Sequence, residues 1–368
     1  MYSKFLNITL FFISVLKLTN GFDSNNTFEN YINYYNLYII ESEYEYKKNL
    51  YEKEQYRIIQ HNKANKSWKE TLNQMSILTK EEKRKYYGYS KSIARSYFSL
   101  YSNTVYTNIS IIPIEMDWRN KGVVTAVKSQ GSCGSCWAFA STAVIESHVA
   151  IQSGKLFDLS IQQVATCTQN PFQCGGQGNC NGATSELAFD YVASSAGLFD
   201  EFQLPYTEYY GQESKCVLPN TLPKAKISSY IKLEENNYFQ LLNTVATIGP
   251  IAVSVDASNW HSYSSGIFDG CDQLNPDINH AVVLMGYGTD HETNQDYWLV
   301  RNSWSASWGE AGYIKLKRNS AQDENKLCGL DKTPQDGSAC MGQIEPVNVC
   351  GTCGILYDSS YPIGVTII

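Results

Sequence analysis

The stretch Gln130-Gly131-Ser132-Cys133-Gly134-Ser135-Cys136-Trp137-Ala138-Phe139 sets two cysteines three residues apart at the head of an apolar run. From Cys136 onward Phe139, Ala143, Val144 and Val149 recur at helical spacing as far as Gln152, and Gly154 supplies a stop. Three chemistries use such a cysteine pair. A structural zinc site needs a second close pair, which Cys350-Gly351-Thr352-Cys353 offers. A redox pair belongs beside a βαβ pattern, which is missing here. A nucleophile at the first residue of a helix is stabilised as thiolate by the exposed backbone N–H groups and the helix dipole. Cys136 stands at that place.

A nucleophilic thiol needs a base. After residue 111 the chain holds His148, His261, His280 and His291, and only His280 opens an apolar strand, NHAVVLMGYG at 279–288. A histidine there lowers the thiol pKa and carries its proton. Asn302, in VRNSWSASWG at 300–309, follows on the next expected strand and can orient the ring. Gln130 can donate its side-chain amide to an oxyanion together with the Cys136 N–H.

The rest of the chain sets the context. Its 368 residues suit one large or two modest domains plus extras. MYSKFLNITLFFISVLKLTNG at 1–21 reads as a secretory leader: Lys4, then a mostly apolar run from Phe5 to Leu18, then small and polar residues. All eleven cysteines lie between Cys133 and Cys353, which fits an oxidising compartment in which disulfides form and disfavours the zinc reading. Residues 1–111 carry 15 Lys+Arg against 10 Asp+Glu, a net of +5; the remainder carries 14 against 26, a net of −12. An acidic body argues against nucleic-acid binding, and the opposite signs predict attraction between the two parts. No later run is long and apolar enough for a bilayer.

Residues 27–100 have no proline and glycine only at Gly88, and Tyr44, Lys47, Tyr51, Glu54 and Ile58 fall on one helical face. Residues 101–112 read as a linker. Asn25, Asn65 and Asn108 head glycosylation sequons, all before residue 111. In the body, helices are expected within 182–197 and 237–249, and strands at 251–256, 280–288, 297–304 and 312–318. Helices early and strands late predict an α+β fold of two packed lobes.

Read together, DWRNKGVVTAVKSQGSCGSCWAF (117–139), GNCNGA (178–183), NHAVVLMGYG, YWLVRNSWSASWGEAGYIKLKR (297–318) and CGILYDSSYPI (353–363) resemble the papain-like cysteine proteases. The resemblance implies a helical left lobe and a β-barrel-like right lobe with the cleft between. It makes Cys136 the nucleophile, His280 its proton carrier and Asn302 the orienting group. Trp304 shields the His280–Asn302 bond, Trp308 flanks the leaving-group side, and Gln130 with Cys136 forms the oxyanion hole. It also implies the disulfides Cys133–Cys180, Cys167–Cys216 and Cys271–Cys353, leaving the pairing of Cys174, Cys328, Cys340 and Cys350 open.

The N-terminal segment resembles the family's inhibitory propeptide more loosely, through Glu43, Lys47, Leu50, Tyr51, Glu54, Ile58, Asn62 and Asn73. Ile77 stands where that family carries an aspartate and Met75 where it carries a phenylalanine, which puts an acid trigger through that carboxylate in question. The resemblance thus divides the chain into a signal peptide (1–21), a propeptide (22–111) and a protease domain (112–368).

Substrate would lie against Gly182, Ala183, Thr184, Ser185, Ser254, Ile278 and Ala281, with Asp358 at the floor of the pocket for the second residue before the scissile bond. Ala183 replaces a glycine and narrows the cleft, and Asp358 suggests that a basic side chain is accepted beside apolar ones. Residues 319–350 form a cysteine-containing insertion, read as a disulfide-pinned surface loop. The expected function is a monomeric cysteine endopeptidase made as a zymogen in the secretory pathway, destined for a lysosome-like vacuole or the exterior. It acts on proteins or peptides, is inhibited by its own propeptide, and uses no metal, other cofactor, nucleic acid or membrane. The alternative is a catalytically weak homologue with a partly blocked cleft.

Overall fold

The computed structural model describes residues 26–88, 112–324, 326–343 and 345–368. The leader, most of the linker, and the Asn25 and Asn108 sequons lie outside them.

The N-terminal segment folds as α1 (Phe28–Tyr35), α2 (Tyr44–Lys63), β1 (Trp68–Glu70) and α3 (Lys80–Arg84). Its abundant tyrosine has a physical use. Phe28, Tyr31, Tyr51, Ile58, Leu72 and Ile77 form a small apolar core of their own. Within it Tyr31 donates its hydroxyl to the Asn73 carbonyl (2.8 Å) and Tyr51 to that of Asn26 (2.6 Å). Tyrosine fills volume while its polar end stays satisfied. Asn62 at the end of α2 grips the Glu70 backbone through both amide atoms. Thr79 and Glu82 close a capping box on α3. The helical pattern did not disclose β1, a three-residue strand whose identity comes from its partner in the body.

The body runs β2 (Met116–Asp117), α4 (Cys136–Ser153), α5 (Ile161–Cys167), α6 (Ser185–Ser194), β3 (Ala225–Lys226), β4 (Ser229–Lys232), α7 (Tyr238–Thr247), β5 (Ile251–Val255), β6 (Tyr263–Phe268), β7 (His280–Asp290), β8 (Gln295–Arg301) and β9 (Tyr313–Lys317). It continues with α8 (Ala321–Glu324), β10 (Cys328–Asp331), β11 (Val347–Cys350), β12 (Asp358–Ile363) and β13 (Thr366–Ile367).

One sheet dominates, in the order β1-β6-β9-β8-β7-β5-β12-β4, with β2 against β7. Its two ends, β1 and β4, do not meet, so the right lobe is an open sheet and not a closed barrel. The foreign edge strand β1 pairs antiparallel with β6, so the N-terminal segment completes the sheet of the body.

Helix α4 is the hub. Every residue from Cys136 to Ala150 is buried, and Gly154 ends it at φ +72°. A helix buried on all faces lies inside the core: this one touches α5, α6, β5, β7 and β12. Five disulfides brace the body: Cys133–Cys180, Cys167–Cys216, Cys174–Cys340, Cys271–Cys353 and Cys328–Cys350. Cys136 alone is free. No helix among the described residues is long and apolar enough to cross a membrane.

Ile145→Ala, at a fully buried position of α4, is expected to lower unfolding free energy by about 2–5 kcal/mol. Ile151→Ala, on the exposed end of the same helix, is expected to change it by less than about 1 kcal/mol. Urea denaturation of the two variants checks the contrast.

Candidate active site

Cys136 is the first residue of α4, so its Sγ stands where helical N–H groups have no carbonyl partner. The amide of Ala281 on β7 also points at this sulfur, at 3.4 Å. His280 precedes Ala281 and opens β7, and Asn302 follows the end of the antiparallel neighbour β8. The sheet therefore brings together two residues 22 positions apart: His280 Nε2 meets Asn302 Oδ1 at 2.8 Å. That bond assigns the proton to Nε2 and leaves Nδ1 as the buried acceptor, with no hydrogen-bond partner. Asn302 Oδ1 is itself held by the Ser303 N–H at 2.8 Å. Trp304 lies over the imidazole with ring centroids 4.8 Å apart, and Trp308 meets Trp304 edge-on at 5.3 Å.

Gln130 is fully buried. Its Oε1 accepts the Ser303 hydroxyl at 2.6 Å, which turns Nε2 toward the cleft. There Nε2 donates to the Cys133 carbonyl (2.8 Å) and to the carbonyl of Tyr86 in the N-terminal segment (3.1 Å). Trp304 Nε1 donates to the same Tyr86 oxygen at 3.3 Å.

The N-terminal segment thus covers the site, a feature that sequence reading did not locate. Gly88 donates its N–H to the Asn279 carbonyl at 3.2 Å. A β-carbon on Gly88 would lie 3.1 Å from Cys136 Sγ and 3.4 Å from Gly182 Cα. A β-carbon on Gly182 would strike the Gly88 carbonyl. Only two glycine backbones pass at this separation. Behind this segment Asn73 donates to the His261 carbonyl at 2.6 Å, and Ser262 donates its hydroxyl to Glu54 at 2.5 Å. Burial would raise Glu54, but hydrogen bonds and charge from Arg57, with help from Ser262, hold it down at about 2. A carboxyl lowered in the folded state contributes fully above its ordinary value of 4.5, and the contribution fades as pH falls from there through about 2. This clamp therefore survives mild acid, and Ile77, buried in the small apolar core, offers no carboxylate at its position.

Burial has the opposite effect on the reactive pair. It pushes the Cys136 thiol up to about 11 and the His280 imidazole down to about 4, and the Asn302 bond offsets only part of the latter. Both groups are neutral between those values. The covered site stores the uncharged pair and not the thiolate–imidazolium pair.

Two sequence expectations at the substrate pocket are corrected. Asp358 is not an open acid. It is buried, its Oδ1 meets Lys232 at 2.9 Å and its Oδ2 accepts the Ser254 hydroxyl at 2.6 Å. The register explains this: Asp358 faces Ser254 across β12 and β5, and Lys232 lies on the other neighbour, β4. Glu186, in the first turn of α6, sits beside the pair; burial and then Asp358 raise its carboxyl. Ile278 is fully buried against Val349 and Tyr357 and does not line an open wall. Thr184 caps α6 by accepting the Leu187 N–H, and Ser185 begins that helix. Ala183 is also buried.

Cys133, Cys180 and Glu208 converge within reach of a metal ion, but the two sulfurs are bonded to each other and lack the lone thiolates that zinc requires. Glu208, missed in the sequence, is fully buried and accepts the Ser214 N–H and hydroxyl.

Residues 112–337 match the papain family cysteine protease. Vignain of Vigna mungo is 38% identical over 277 residues, 73% of either chain. Cathepsin L of Sarcophaga peregrina is 34% identical over 306 residues, 80% of this chain and 86% of its own. Among solved structures, the digestive procathepsin L2 proteinase from Tenebrio molitor larval midgut superposes with a TM-score of 0.72 at 31% identity, over 91% of this chain and 98% of that one.

Iodoacetamide labelling of Cys136 in the full chain is expected to stay slow across pH 5–8, since thiol and imidazole are both neutral there. Gly88→Val forces the backbones apart and is expected to raise the rate by ~10-fold or more. Mass spectrometry of the Cys136 peptide reads both outcomes.

Proposed function

The chain belongs to the papain family of cysteine proteases, and from that premise we propose that it is a zymogen whose Cys136, His280 and Asn302 hydrolyse peptide bonds once the N-terminal segment is gone. The observation that carries this reading is the His280–Asn302 bond, which leaves the buried Nδ1 without a partner on the strand whose next amide, that of Ala281, points at the free Cys136 sulfur. We read residues 1–21 as leader, 22–111 as inhibitory propeptide and 112–368 as the protease. The Gly88 backbone over the sulfur and the opposite charges of the two parts support this division. The leader and the five disulfides support passage through the secretory pathway.

In the opened site water returns, desolvation falls, and the helix N-terminus with His280 favours the ion pair. The Cys136 thiolate attacks the scissile carbonyl carbon. The oxyanion is held by the Gln130 amide, which donates to the Tyr86 carbonyl in the zymogen, and by the Cys136 N–H. Imidazolium His280 gives its proton to the leaving amine, and a thioester forms. His280 then takes a proton from water, hydroxide adds to the thioester, and the acid leaves with Cys136 regenerated. Asn302 keeps the ring aligned through both steps, and Trp304 keeps water from that bond.

For the second residue before the scissile bond we propose an apolar preference. Asp358 is neutralised by Lys232, and Glu186 is driven toward its neutral form. A basic side chain would compete with Lys232 for both.

The full chain, exposed to mild acid with a reducing thiol, is expected to shed its N-terminal segment and hydrolyse a Phe-Arg reporter amide bearing a free amino terminus. Cys136→Ala is expected to do neither. Gln130→Ala is expected to lower kcat by about 10²–10³-fold. Inactivity after the segment has been removed by another protease would favour the weak homologue instead. Lys232→Ala is expected to improve cleavage after Arg-Arg relative to Phe-Arg by ~10-fold or more, whereas Asp358→Ala in the otherwise native protein leaves that ratio unchanged; steady-state kinetics on the two reporters decide.

A further inference from the structure

A second histidine stands beside the catalytic one, and the mechanism does not use it. His261 lies in the connection between β5 and β6 and is buried in the covered protein. Its imidazole stacks on Trp304, with ring centroids 5.2 Å apart and planes 14° from parallel. Trp304 in turn lies over His280. The His261 backbone is pinned as well. Its carbonyl accepts Trp308 Nε1 at 3.2 Å, alongside the Asn73 amide of the N-terminal segment. A residue held by two tryptophans of the body keeps its place when the N-terminal segment leaves.

The covering chain shows what the space in front of this ring holds. Tyr87 enters it from between Tyr86, whose carbonyl oxygen sits on Gln130 and Trp304, and Gly88, which passes over Cys136. The Tyr87 side chain is buried. Its phenol ring meets three rings of the body, His261 at 5.3 Å and His280 and Trp304 at 6.2 Å each. At the far end its hydroxyl donates to the Ala257 carbonyl at 3.3 Å and lies 3.2 Å from His261 Nδ1 and 3.0 Å from Nε2. A phenol has one proton to give and lone pairs to accept with. It can serve the carbonyl and a ring N–H at once.

The carbonyl is as firmly placed as the imidazole. Ala257 is fully buried, its N–H donates to Asn279 Oδ1 at 3.1 Å, and its oxygen also accepts the Trp260 N–H at 3.0 Å. All these groups belong to the body. Loss of the N-terminal segment therefore leaves an aromatic slot with a fixed acceptor and a fixed imidazole at its end. Water can enter it, but a phenol both covers the apolar walls and pairs with the two polar groups. Such a slot reads the side chain it holds, whichever way the chain carrying that side chain runs. In the mechanism above His280 hands its proton to the leaving amine, so the residue bearing that amine lies against the His280–Trp304 face. The slot opens on this face.

Resting on the catalytic reading above, we propose that His261 and the Ala257 carbonyl form a specificity subsite for the first residue after the scissile bond, one that selects tyrosine over phenylalanine by its hydroxyl. In the zymogen Tyr87 fills this subsite, and its departure opens it to substrate.

The test uses the full chain after its N-terminal segment has been removed. Internally quenched peptides carry Phe-Arg before the scissile bond and tyrosine, phenylalanine or O-methyltyrosine directly after it, and mass spectrometry of the products reads the bond cut. Tyrosine is expected to give kcat/KM about 5- to 10-fold above phenylalanine, the effect of one hydroxyl pairing with fixed partners. O-methyltyrosine, which has lost the proton to donate, is expected to fall with phenylalanine. His261→Phe keeps a ring on Trp304 but removes the N–H, and is expected to bring the tyrosine-to-phenylalanine ratio within about 2-fold. Equal rates on the tyrosine and phenylalanine peptides in the native protein would overturn the proposal, and that comparison needs no variant to fold. So would a ratio left unchanged in a His261→Phe protein that still cleaves, or the same preference for tyrosine placed before the scissile bond. Failure of the processed native protein to cleave any of the peptides or the Phe-Arg reporter amide would instead overturn the catalytic reading.

Discussion

The seating of α4 governs the rest of the molecule. Its first residue must bring a sulfur to the Ala281 amide while its next fourteen residues disappear into the core between sheet and helices. That single placement aligns the helix N-terminus, the start of β7 and the end of β8 on one point. It also explains the surrounding bracing. Cys133 is bonded to Cys180 just ahead of the helix, and Gln130 is locked by Ser303 from the far side of the cleft. In the proposed mechanism those supports matter, because a small shift of the helix would move the sulfur away from both His280 and Gln130.

The same point is switched off by desolvation. The N-terminal segment adds a strand to the sheet at β6, ties Glu54 and Asn73 to the 261–262 turn, and lays Tyr86 to Gly88 along the site. The thiol and imidazole are kept in a dry place where neither bears charge. The covering segment is itself anchored by contacts that resist mild acid. Asp277, raised by burial, faces Arg84 and Lys80 of α3.

Two features of the body lie beside the proposed cleft. A buried lysine–aspartate pair forms with a second carboxyl beside it, since β4, β12 and β5 stand side by side. The insertion leaves the sheet after β9, folds its own hairpin, and crosses to the opposite lobe. Both features use the edges and ends of the common framework and leave the Cys136–His280–Asn302 arrangement untouched.

The sequence by itself determined the helix that opens at Cys136, the four central strands, the two-lobed α+β class and the family, because these rest on local periodicity and on motifs whose chemistry tolerates few substitutes. It also marked Cys136, His280 and Asn302 as candidates, since each stands at a recognisable start or end of an element, and Gln130 as an amide donor six residues before Cys136. Other features were settled only by tertiary structure. Strand β1 has no pattern of its own and exists through pairing with β6. Asp358 looked available until β4 put Lys232 beside it, and Ile278 looked like a pocket wall until the insertion covered it. The Cys174–Cys340 and Cys328–Cys350 bonds had three equivalent pairings on paper. Each of these depends on which segments, distant in the chain, share one place in space, and no periodicity in a single segment encodes that.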